Sequence, residues 1–291
     1  MATSNTSMND KICLVTGATS GIGKATALGL AQRGATVIIT GRNQAKGEEA
    51  LSEIKARSNN DKVNLMLADF ASLESTRQLA EQFKQKYQQL HVLINNAGLA
   101  AYKRQVTQDG FEKTFEVNYV APFLLTNLLL DTIKASAPAR IINVSSEAQA
   151  AGKIYFNDLQ LEKNFNFGRA YSQSKLAEVL FTYELARKLQ GTGVTVNCLH
   201  PGVVATNIWQ HSPSFIRPVI KSLVNLFALT PEEGARTSLY LATSPDVADV
   251  TGKYFTKSVP KRSSEISYNE AAQQQLWDMS VQMVKLPVTV S

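Results

Sequence analysis

Residues 11–23, KICLVTGATSGIG, contain the pattern that decides the fold. Lys11–Thr16 is a short apolar run typical of a buried strand, and the glycine-rich turn Gly17–Gly23 follows it directly. A helical pattern then continues to Arg33, and Thr36–Thr40 is a second apolar run. A strand, a glycine turn, a helix and a second strand in this order predict the first half of a dinucleotide-binding unit.

The glycine turn explains how such a unit would bind its ligand. Its spacing is Gly-x-x-x-Gly-x-Gly, which differs from the commoner Gly-x-Gly-x-x-Gly pattern. Glycines let the backbone approach a pyrophosphate closely, and the first N–H groups of the following helix bind phosphate oxygens. An ordinary turn between a strand and a helix is the alternative. The residues of this turn that we expect to contact a dinucleotide are Gly17, Thr19, Ser20, Gly21, Ile22 and Gly23.

Arg42 follows the second predicted strand, at a position where NAD-binding units usually carry an acidic residue for the ribose hydroxyls. The segment reads Thr-Gly-Arg-Asn and contains no acid. A charge-assisted bond between arginine and the adenosine 2′-phosphate contributes roughly 1.5–3 kcal/mol. The sequence therefore predicts NADP(H), preferred over NAD(H) by about ten- to a hundredfold. A solvated loop arginine is the alternative.

Two further strand ends carry candidate cofactor contacts. Asp69 and Phe70 follow the predicted strand Val63–Leu67, and the aspartate could accept a hydrogen bond from adenine, cap the helix near Leu73, or do both. The fourth strand, Val92–Ile94, ends in small residues that allow a close approach of a ligand, although an ordinary turn is the alternative. The residues expected at these two strand ends are Asp69, Phe70, Asn96, Ala97 and Gly98.

Asn118 and Ser145 are polar residues at positions that favour a functional role. Asn118 lies in the long helical pattern of residues 110–137 among apolar neighbours, and a buried amide should have a hydrogen-bonding partner. Pro122 predicts a kink in the same region. Ser145 follows the predicted strand Arg140–Val144, and α/β sheets bind ligands beyond the carboxyl ends of their strands.

Tyr171 and Lys175 lie four residues apart at the start of an apolar-periodic run to Leu189, which predicts a long helix. Residues at this spacing share one face, with Cβ atoms about 5–6 Å apart. A cation about 4 Å from a phenolate stabilises it by roughly 4 kcal/mol at an effective dielectric of 20. Lys175 would then lower the pKa of Tyr171 by up to about three units, less the effect of burial, and create a general acid/base near pH 7–8. A helix with one aromatic residue and one surface lysine is the alternative.

Residues 203–230 follow the sixth predicted strand, Thr195–Leu199, and the turn His200–Gly202. Their place after the carboxyl end of a strand predicts a lid that covers an apolar substrate. A pair of helices packed on the sheet is the alternative. The apolar residues of this segment include Ile208, Trp209, Phe215, Ile216 and Phe227.

Length and composition agree with one domain. The 291 residues are 44% hydrophobic and 19% charged, and the chain shows no internal repeat, low-complexity linker or second domain boundary. About seven strands alternate with helices, so we predict a single α/β domain of the Rossmann type, a doubly wound parallel sheet with helices on both faces. This domain spans residues 10–286, between a polar leader at 1–9 and a tail at 287–291.

The composition also argues against several function classes. No run approaches the roughly 20 apolar residues of a membrane span, and the N-terminus has no apolar signal-peptide core, so we expect a cytoplasmic protein that at most contacts membrane surfaces. The formal net charge is +6, but Lys and Arg are scattered without a basic-aromatic patch, which argues against nucleic-acid binding. Cys13 and Cys198 lie in apolar runs, which predicts buried reduced thiols and no metal site.

Taken together, these motifs resemble the short-chain dehydrogenase/reductase family over residues 10–286. The matching elements are Thr16-Gly17-x-x-x-Gly21-Ile22-Gly23, Asn95-Asn96-Ala97-Gly98, Asn118, Ser145, Tyr171-x-x-x-Lys175 and Pro201-Gly202. The segments 170–177, 181–182, 184–186, 189–194 and 200–204 resemble the retinol dehydrogenase branch, which includes WW-domain oxidoreductases. Animal retinol dehydrogenases commonly carry an N-terminal membrane anchor, whereas this chain begins almost at its first strand and has no WW module. We therefore expect no transmembrane anchor.

The resemblance implies a mechanism and a role for each residue. NADPH delivers a hydride to a carbonyl carbon, Tyr171 gives the carbonyl oxygen its proton, and Ser145 hydrogen-bonds that oxygen. Lys175 supports Tyr171 and, together with it, contacts the nicotinamide ribose, while Asn118 holds a water that relays protons. The residues implied to surround the nicotinamide end are Pro201, Gly202, Val204 and Thr206. Members of the family often form homodimers or homotetramers through their long helices.

The sequence therefore predicts an NADP(H)-dependent reductase or dehydrogenase of an apolar carbonyl or alcohol, such as a retinoid or another lipophilic aldehyde or ketone. One alternative is a specialised enzyme that resembles protochlorophyllide reductases. A second is an NADP(H)-binding redox sensor with little turnover. Such regulators often lose the tyrosine or the lysine, whereas Tyr171 and Lys175 are both present.

Overall fold

The computed structural model describes residues 6–202 and 229–286. These ranges form one eight-stranded sheet with the strand order β3-β2-β1-β4-β5-β6-β7-β8. The strands are β1 (Ile12–Val15), β2 (Thr36–Gly41), β3 (Val63–Leu67), β4 (Val92–Asn95), β5 (Ala139–Val144), β6 (Val194–His200), β7 (Lys253–Thr256) and β8 (Val259–Lys261). Strands β1 to β7 are parallel, and β8 pairs antiparallel with β7. The predicted doubly wound sheet is confirmed, with one antiparallel edge strand in addition.

Helices connect the strands and cover both faces of the sheet. They are α1 (Gly21–Ala31), α2 (Gln44–Ser58), α3 (Leu73–Lys86), α4 (Lys113–Phe115), α5 (Ala121–Ala135), α6 (Phe167–Lys188), α7 (Pro231–Thr243) and α8 (Glu270–Met283). Alternate residues of β1 point to opposite faces. Leu14 joins a core with α3, α5, α6 and α8, whereas Cys13 and Val15 join a second core with α1, α2 and α7. None of the helices in the described ranges has the length and apolar character needed to span a membrane.

The chain before α5 is irregular close to Pro122, where the sequence predicts a kink. Glu116–Val120 forms a π-helical turn, and Pro122 stands in the first turn of α5. Proline has no N–H to donate to the carbonyl four residues earlier, which here belongs to Asn118. The irregularity takes the form of a widened turn around Asn118, directly before the proline.

The start of one helix and the cap of another differ from the predictions, and a third predicted element is not described. Helix α6 begins at Phe167 rather than at Tyr171, because the side chain of Asn166 accepts hydrogen bonds from the first backbone N–H groups and caps it. Ser72, not Asp69, caps α3. Most of the predicted lid, residues 203–228, lies outside the described residues.

Candidate functional site

The carboxyl ends of β1, β4, β5 and β6 form one edge of the sheet and bring the predicted site residues together. These strands are neighbours in the sheet, and the register pairs Val15 of β1 with Ile94 of β4. The glycine turn after β1, residues 96–98 after β4, Ser145 after β5 and residues 201–202 after β6 therefore lie along this edge. Open α/β sheets bind their ligands at this edge.

The glycine turn is shaped by close contacts with the segment after β4. Gly17 has a φ of 63°, and a Cβ there would lie 2.8 Å from the Cα of Ala97. A Cβ at Gly23 would lie 2.4 Å from Nδ2 of Asn96. Glycine is therefore required at both positions for the turn to fold against this segment. Ser20 precedes α1, is exposed, and does not cap the helix with its hydroxyl.

Asn96 holds the glycine turn in place from the side. Its Nδ2 donates hydrogen bonds to the carbonyl oxygens of Thr16 at 2.8 Å and Gly17 at 3.2 Å. In return, Oγ1 of Thr16 accepts from the backbone N–H groups of Asn96 at 2.9 Å and Ala97 at 3.0 Å. Nδ2 of Asn96 is thus engaged by the protein, and its hydrogen bonds hold the glycine turn against the segment after β4.

Arg42 directly follows β2 and is exposed to solvent. Within the described ranges, its guanidinium is not part of any ion pair. Asn43 caps α2 by accepting a hydrogen bond from the backbone N–H of Lys46 at 3.0 Å. Lys46 is also exposed. Two accessible cations therefore lie at the N-terminus of α2, where the helix dipole also favours an anion.

Asp69 and Phe70, predicted beside adenine, differ in their surroundings. Asp69 is exposed, and its Oδ1 accepts a hydrogen bond from the backbone N–H of Ala71 at 3.0 Å. Phe70 is buried and belongs to the hydrophobic core. The helix-capping alternative for Asp69 is wrong because Ser72 caps α3. Asp69 keeps an accessible carboxylate, whereas the ring of Phe70 is used for packing.

Ser145 and Lys175 are linked through the end of β5. Oγ of Ser145 donates a hydrogen bond to the carbonyl oxygen of Lys175 at 2.8 Å, and Nζ of Lys175 donates to the carbonyl oxygen of Val144 at 3.0 Å. Nζ also donates to Oε1 of Glu178 at 3.1 Å. Burial lowers the pKa of Lys175, but the charges of Glu178 and Tyr171 outweigh it and the net shift is upward. Lys175 is therefore an ammonium ion at neutral pH.

Asn118 is fixed by three hydrogen bonds. Its Oδ1 accepts from the backbone N–H of Leu99 at 2.8 Å, and its Nδ2 donates to the carbonyl oxygen of Leu99 and to Oγ of Ser174, both at 2.9 Å. A Cβ at Gly98 would lie 3.4 Å from Oδ1 of Asn118 and 3.5 Å from Nζ of Lys175. The amide and the ammonium therefore border the same space, and the hydrogen-bonding task predicted for Asn118 is found.

Tyr171 lies on the open side of this network. It is half-buried, and Nζ of Lys175 lies 5.8 Å from the centroid of its ring. A surface pocket beside it is lined by Ala148, Ala151, Lys153, Tyr155, Gly168, Arg169 and Ser172. The tyrosine is thus reachable from solvent, whereas Lys175 is buried.

The residues predicted around the nicotinamide are only partly among those that the structure describes. Pro201 and Gly202 follow β6, and Gly202 has a φ of 92°. Val204 and Thr206, predicted around the nicotinamide, lie outside the described residues. In the described part of the chain no group of three or more His, Cys, Asp or Glu side chains is arranged to hold a metal ion.

Sequence reasoning missed Glu178, which contacts Lys175 inside the protein. A signal for it existed, because this acid interrupts the apolar run Leu176-Ala177-Glu178-Val179-Leu180. It also stands three residues after Lys175, a spacing at which opposite charges meet on a helix.

Comparisons with known proteins agree along nearly the whole chain. A family model described as short chain dehydrogenase matches residues 11–216. Retinol dehydrogenase 13 of Homo sapiens is 45% identical over 281 residues, which cover 95% of this chain and 85% of that protein. Polyprenol dehydrogenase of Homo sapiens is 44% identical over 280 residues, which cover 94% of this chain and 85% of that protein.

Solved structures show the same similarity. An uncharacterized protein from Mycobacterium paratuberculosis matches with a TM-score of 0.79 and 32% identity, over 96% of this chain and 95% of that one. The Pseudomonas aeruginosa RhlG/NADP active-site complex matches with a TM-score of 0.69 and 28% identity, over 86% of this chain and 95% of that one.

Proposed function

The chain belongs to the short-chain dehydrogenase family and is an oxidoreductase of alcohol or carbonyl groups; we propose that it uses NADP(H) and that its substrate is apolar. The observation that supports the chemistry is the linked set of Tyr171, Lys175, Ser145 and Asn118 at the carboxyl edge of the sheet, and the exposed Arg42 supports NADP(H). An accessible phenol stands there in front of a buried ammonium ion.

Each side chain of this set has a step that follows from its surroundings. Tyr171 gives a proton to the substrate oxygen in reduction and takes it back in oxidation, and the charge of Lys175 stabilises the phenolate. Ser145 can turn its hydroxyl hydrogen from the Lys175 carbonyl to the substrate oxygen and so stabilise developing negative charge. Asn118 fixes the backbone of Leu99 against α6 and keeps the space beside Gly98 in shape. When bound, the nicotinamide supplies or accepts the hydride.

The glycine turn after β1 and Arg42 after β2 have the features needed to bind the phosphates of a dinucleotide. Side chains are excluded at Gly17 and Gly23 by contacts with the segment after β4, which leaves backbone N–H groups at the start of α1 for a pyrophosphate. Ser20 and Thr19 add hydroxyls to the same turn. Arg42 would bind the 2′-phosphate, because its guanidinium is exposed and has no acidic partner among the described residues.

The apolar substrate is proposed from the relatives and the sequence together. The names retinol dehydrogenase and polyprenol dehydrogenase both denote enzymes of long apolar alcohols. The segment 203–230, expected to cover the substrate, is rich in apolar side chains. We therefore propose a retinoid or another lipophilic aldehyde, ketone or alcohol.

The test is NADPH consumption by the purified protein with a panel of aldehydes and ketones that includes retinal, and with the Tyr171→Phe variant as control. The proposal predicts turnover that requires Tyr171 and is fastest with apolar carbonyls. Tight NADPH binding without turnover on any carbonyl would favour the redox-sensor alternative instead. Failure to bind NADPH or NADH would contradict the whole proposal, including dinucleotide binding at the glycine turn.

Cytoplasmic location and self-association remain predictions from the sequence. Fractionation at low salt should find the protein in the supernatant, and light scattering should give the mass of a dimer or tetramer of the 31.8 kDa chain. Extraction that requires detergent would contradict the first prediction, and a monomer mass would contradict the second.

A further inference from the structure

Glu178 is a buried acid to which the mechanism above gives no role. It lies on α6 three residues after Lys175, and only 5% of its side chain is exposed. The helix residues on either side, Ala177 and Val179, are buried and apolar. Moving a carboxylate into such surroundings costs several kcal/mol unless it is well paired. The partners of Glu178 therefore indicate what it does.

The first consequence of Glu178 concerns the direction of the Lys175 ammonium group. An ammonium has three hydrogens. One binds the carbonyl oxygen of Val144 at 3.0 Å and another binds Oε1 of Glu178 at 3.1 Å. With these two directions fixed, one N–H of Lys175 is left, and Nζ borders the space beside Gly98. Glu178 thus holds the ammonium at the point where the proposed site needs its charge.

The second consequence concerns charge. Burial raises the pKa of Glu178 to about 7, although Lys175 and Ser145 oppose this shift. Its second oxygen, Oε2, has no hydrogen-bond partner in the described part of the chain, so this oxygen can carry a proton. The other groups that face the pair are Tyr171 from α6 and the thiol of Cys198 from β6, whose pKa burial raises so that it stays neutral. Glu178 therefore adds a second group that changes charge near neutral pH to the one predicted from the sequence at Tyr171.

We propose that Glu178 is a positioning residue for the reaction, which acts through Lys175 by fixing the direction of the ammonium and by completing an ion pair with it as the pH rises through neutrality. The inference rests on the proposed function, because it takes Lys175 to be part of the catalytic site. Below neutral pH the neutral carboxyl accepts a hydrogen bond from the Lys175 ammonium. Above it, the carboxyl proton passes to solvent and the contact becomes a stronger bond between two charged groups.

The test compares the pH dependence of kcat and of the KM for NADPH in the wild type and in Glu178→Gln, which mimics the neutral carboxyl at every pH. We expect nearly equal kcat at pH 6 and a loss of about tenfold in the variant at pH 8.5, which is the effect of a change of one unit in the pKa of a coupled group. A role in packing alone would lower kcat of the variant by the same factor at pH 6 and at pH 8.5. Parallel profiles would therefore overturn the inference.

Glu184→Gln is the matched control. Glu184 lies on the same helix, has 4% of its side chain exposed, and pairs with Lys188 at 3.2 Å far along α6 from Lys175. This variant also removes a buried carboxylate from α6, and we expect its pH profile to follow the wild type. An equal pH-dependent loss in Glu184→Gln would show that the effect is not specific to Lys175 and would overturn the inference.

Two further outcomes keep the inference separate from the proposed function. If the wild type turns over in a Tyr171-dependent way but its pH profile has the same shape as that of Glu178→Gln, only the role of Glu178 is wrong. If the wild type shows no Tyr171-dependent turnover, the proposed function fails and the inference fails with it. Glu178→Asp, which keeps a titrating carboxyl, should follow the wild-type profile more closely than Glu178→Gln does.

Discussion

The two ends of the ligand-binding edge are built in different ways. At the predicted adenine end, the glycine turn offers backbone groups, and Arg42 and Asp69 offer exposed charges. The side chains of Arg42 and Asp69 have few bonds to the rest of the protein. At the catalytic end, Ser145 and Lys175 are buried and tied to one another and to the end of β5. The shape of the adenine end depends mainly on glycines, which have no side chain, whereas the shape of the catalytic end depends on hydrogen bonds between side chains and backbone.

This contrast predicts different kinds of damage from mutation. A change at the adenine end should alter the affinity for cofactor and leave the chemical step intact, because those groups touch only distant parts of the ligand. A change at the catalytic end should lower kcat, because the buried groups act on charge that develops during the reaction. Ser145→Ala, Arg42→Ala and Glu116→Gln test this division, and we expect their effects on catalysis to decrease in that order.

Ser145→Ala should cause the largest loss of these variants, about a hundred- to a thousandfold in kcat, because it removes a donor to the reacting oxygen. The dissociation constant for NADPH should stay within about threefold, as steady-state kinetics and fluorescence titration would show. Ser146→Ala is the matched control, since Ser146 caps the following short helix and should be replaceable without loss of kcat. A Ser145→Ala variant with a raised KM and an unchanged kcat would contradict the claim that changes at the catalytic end lower kcat.

Arg42→Ala should lower the preference for NADPH over NADH by about ten- to a hundredfold, because it removes a charge-assisted bond to the 2′-phosphate. Its kcat with saturating NADPH should not change. The measurement is the ratio of kcat/KM for the two cofactors, with Arg57→Ala as control at the opposite end of α2. An unchanged ratio in Arg42→Ala would move phosphate recognition to another cation, of which Lys46 is the nearest candidate in sequence.

Glu116→Gln should have the smallest effect on catalysis and act on stability instead. Burial raises the pKa of Glu116 from 4.5 to about 8, Thr107 opposes this, and the nearby charges of Asp109 and Asp69 add to it. Between these pH values the folded protein holds a proton that the unfolded chain releases, so the stability of the wild type should fall as the pH rises.

The glutamine variant lacks this titration. Its free energy of unfolding relative to wild type should therefore improve by on the order of 2 kcal/mol between pH 5 and pH 9. Urea unfolding at the two pH values would measure this, with the exposed Glu81→Gln as control. A constant difference between Glu116→Gln and wild type would show that Glu116 is already ionised in the fold.

Local patterns made much of the site predictable. The strand, glycine turn and helix around Gly17, and the four-residue spacing of Tyr171 and Lys175, depend on neighbours in sequence. The structure has the first three in the expected order and puts Nζ of Lys175 5.8 Å from the ring centroid of Tyr171. The widened turn at Glu116–Val120 was harder to foresee, because a proline pattern does not distinguish a kink from a turn with one extra residue. Strand β8 was missed because Val259–Lys261 is exposed and has no apolar alternation.

Contacts between distant segments account for the rest. The clamp of Asn96 on Thr16 joins residues that are 80 positions apart, and nothing in either sequence segment specifies it. The burial of Glu178 depends on how α6 packs against β5 and β6. Sequence patterns name the reacting groups here, whereas only the fold shows what holds them.

The most direct test of the central claim is to measure kcat and the NADPH dissociation constant of Tyr171→Phe beside the wild type, with the best carbonyl substrate of the panel. Removing one hydroxyl should abolish proton transfer and lower kcat by at least about a thousandfold, while NADPH binding changes by less than about threefold. That result would place the chemistry at Tyr171 and cofactor binding largely elsewhere. Retention of wild-type kcat in Tyr171→Phe would contradict the account.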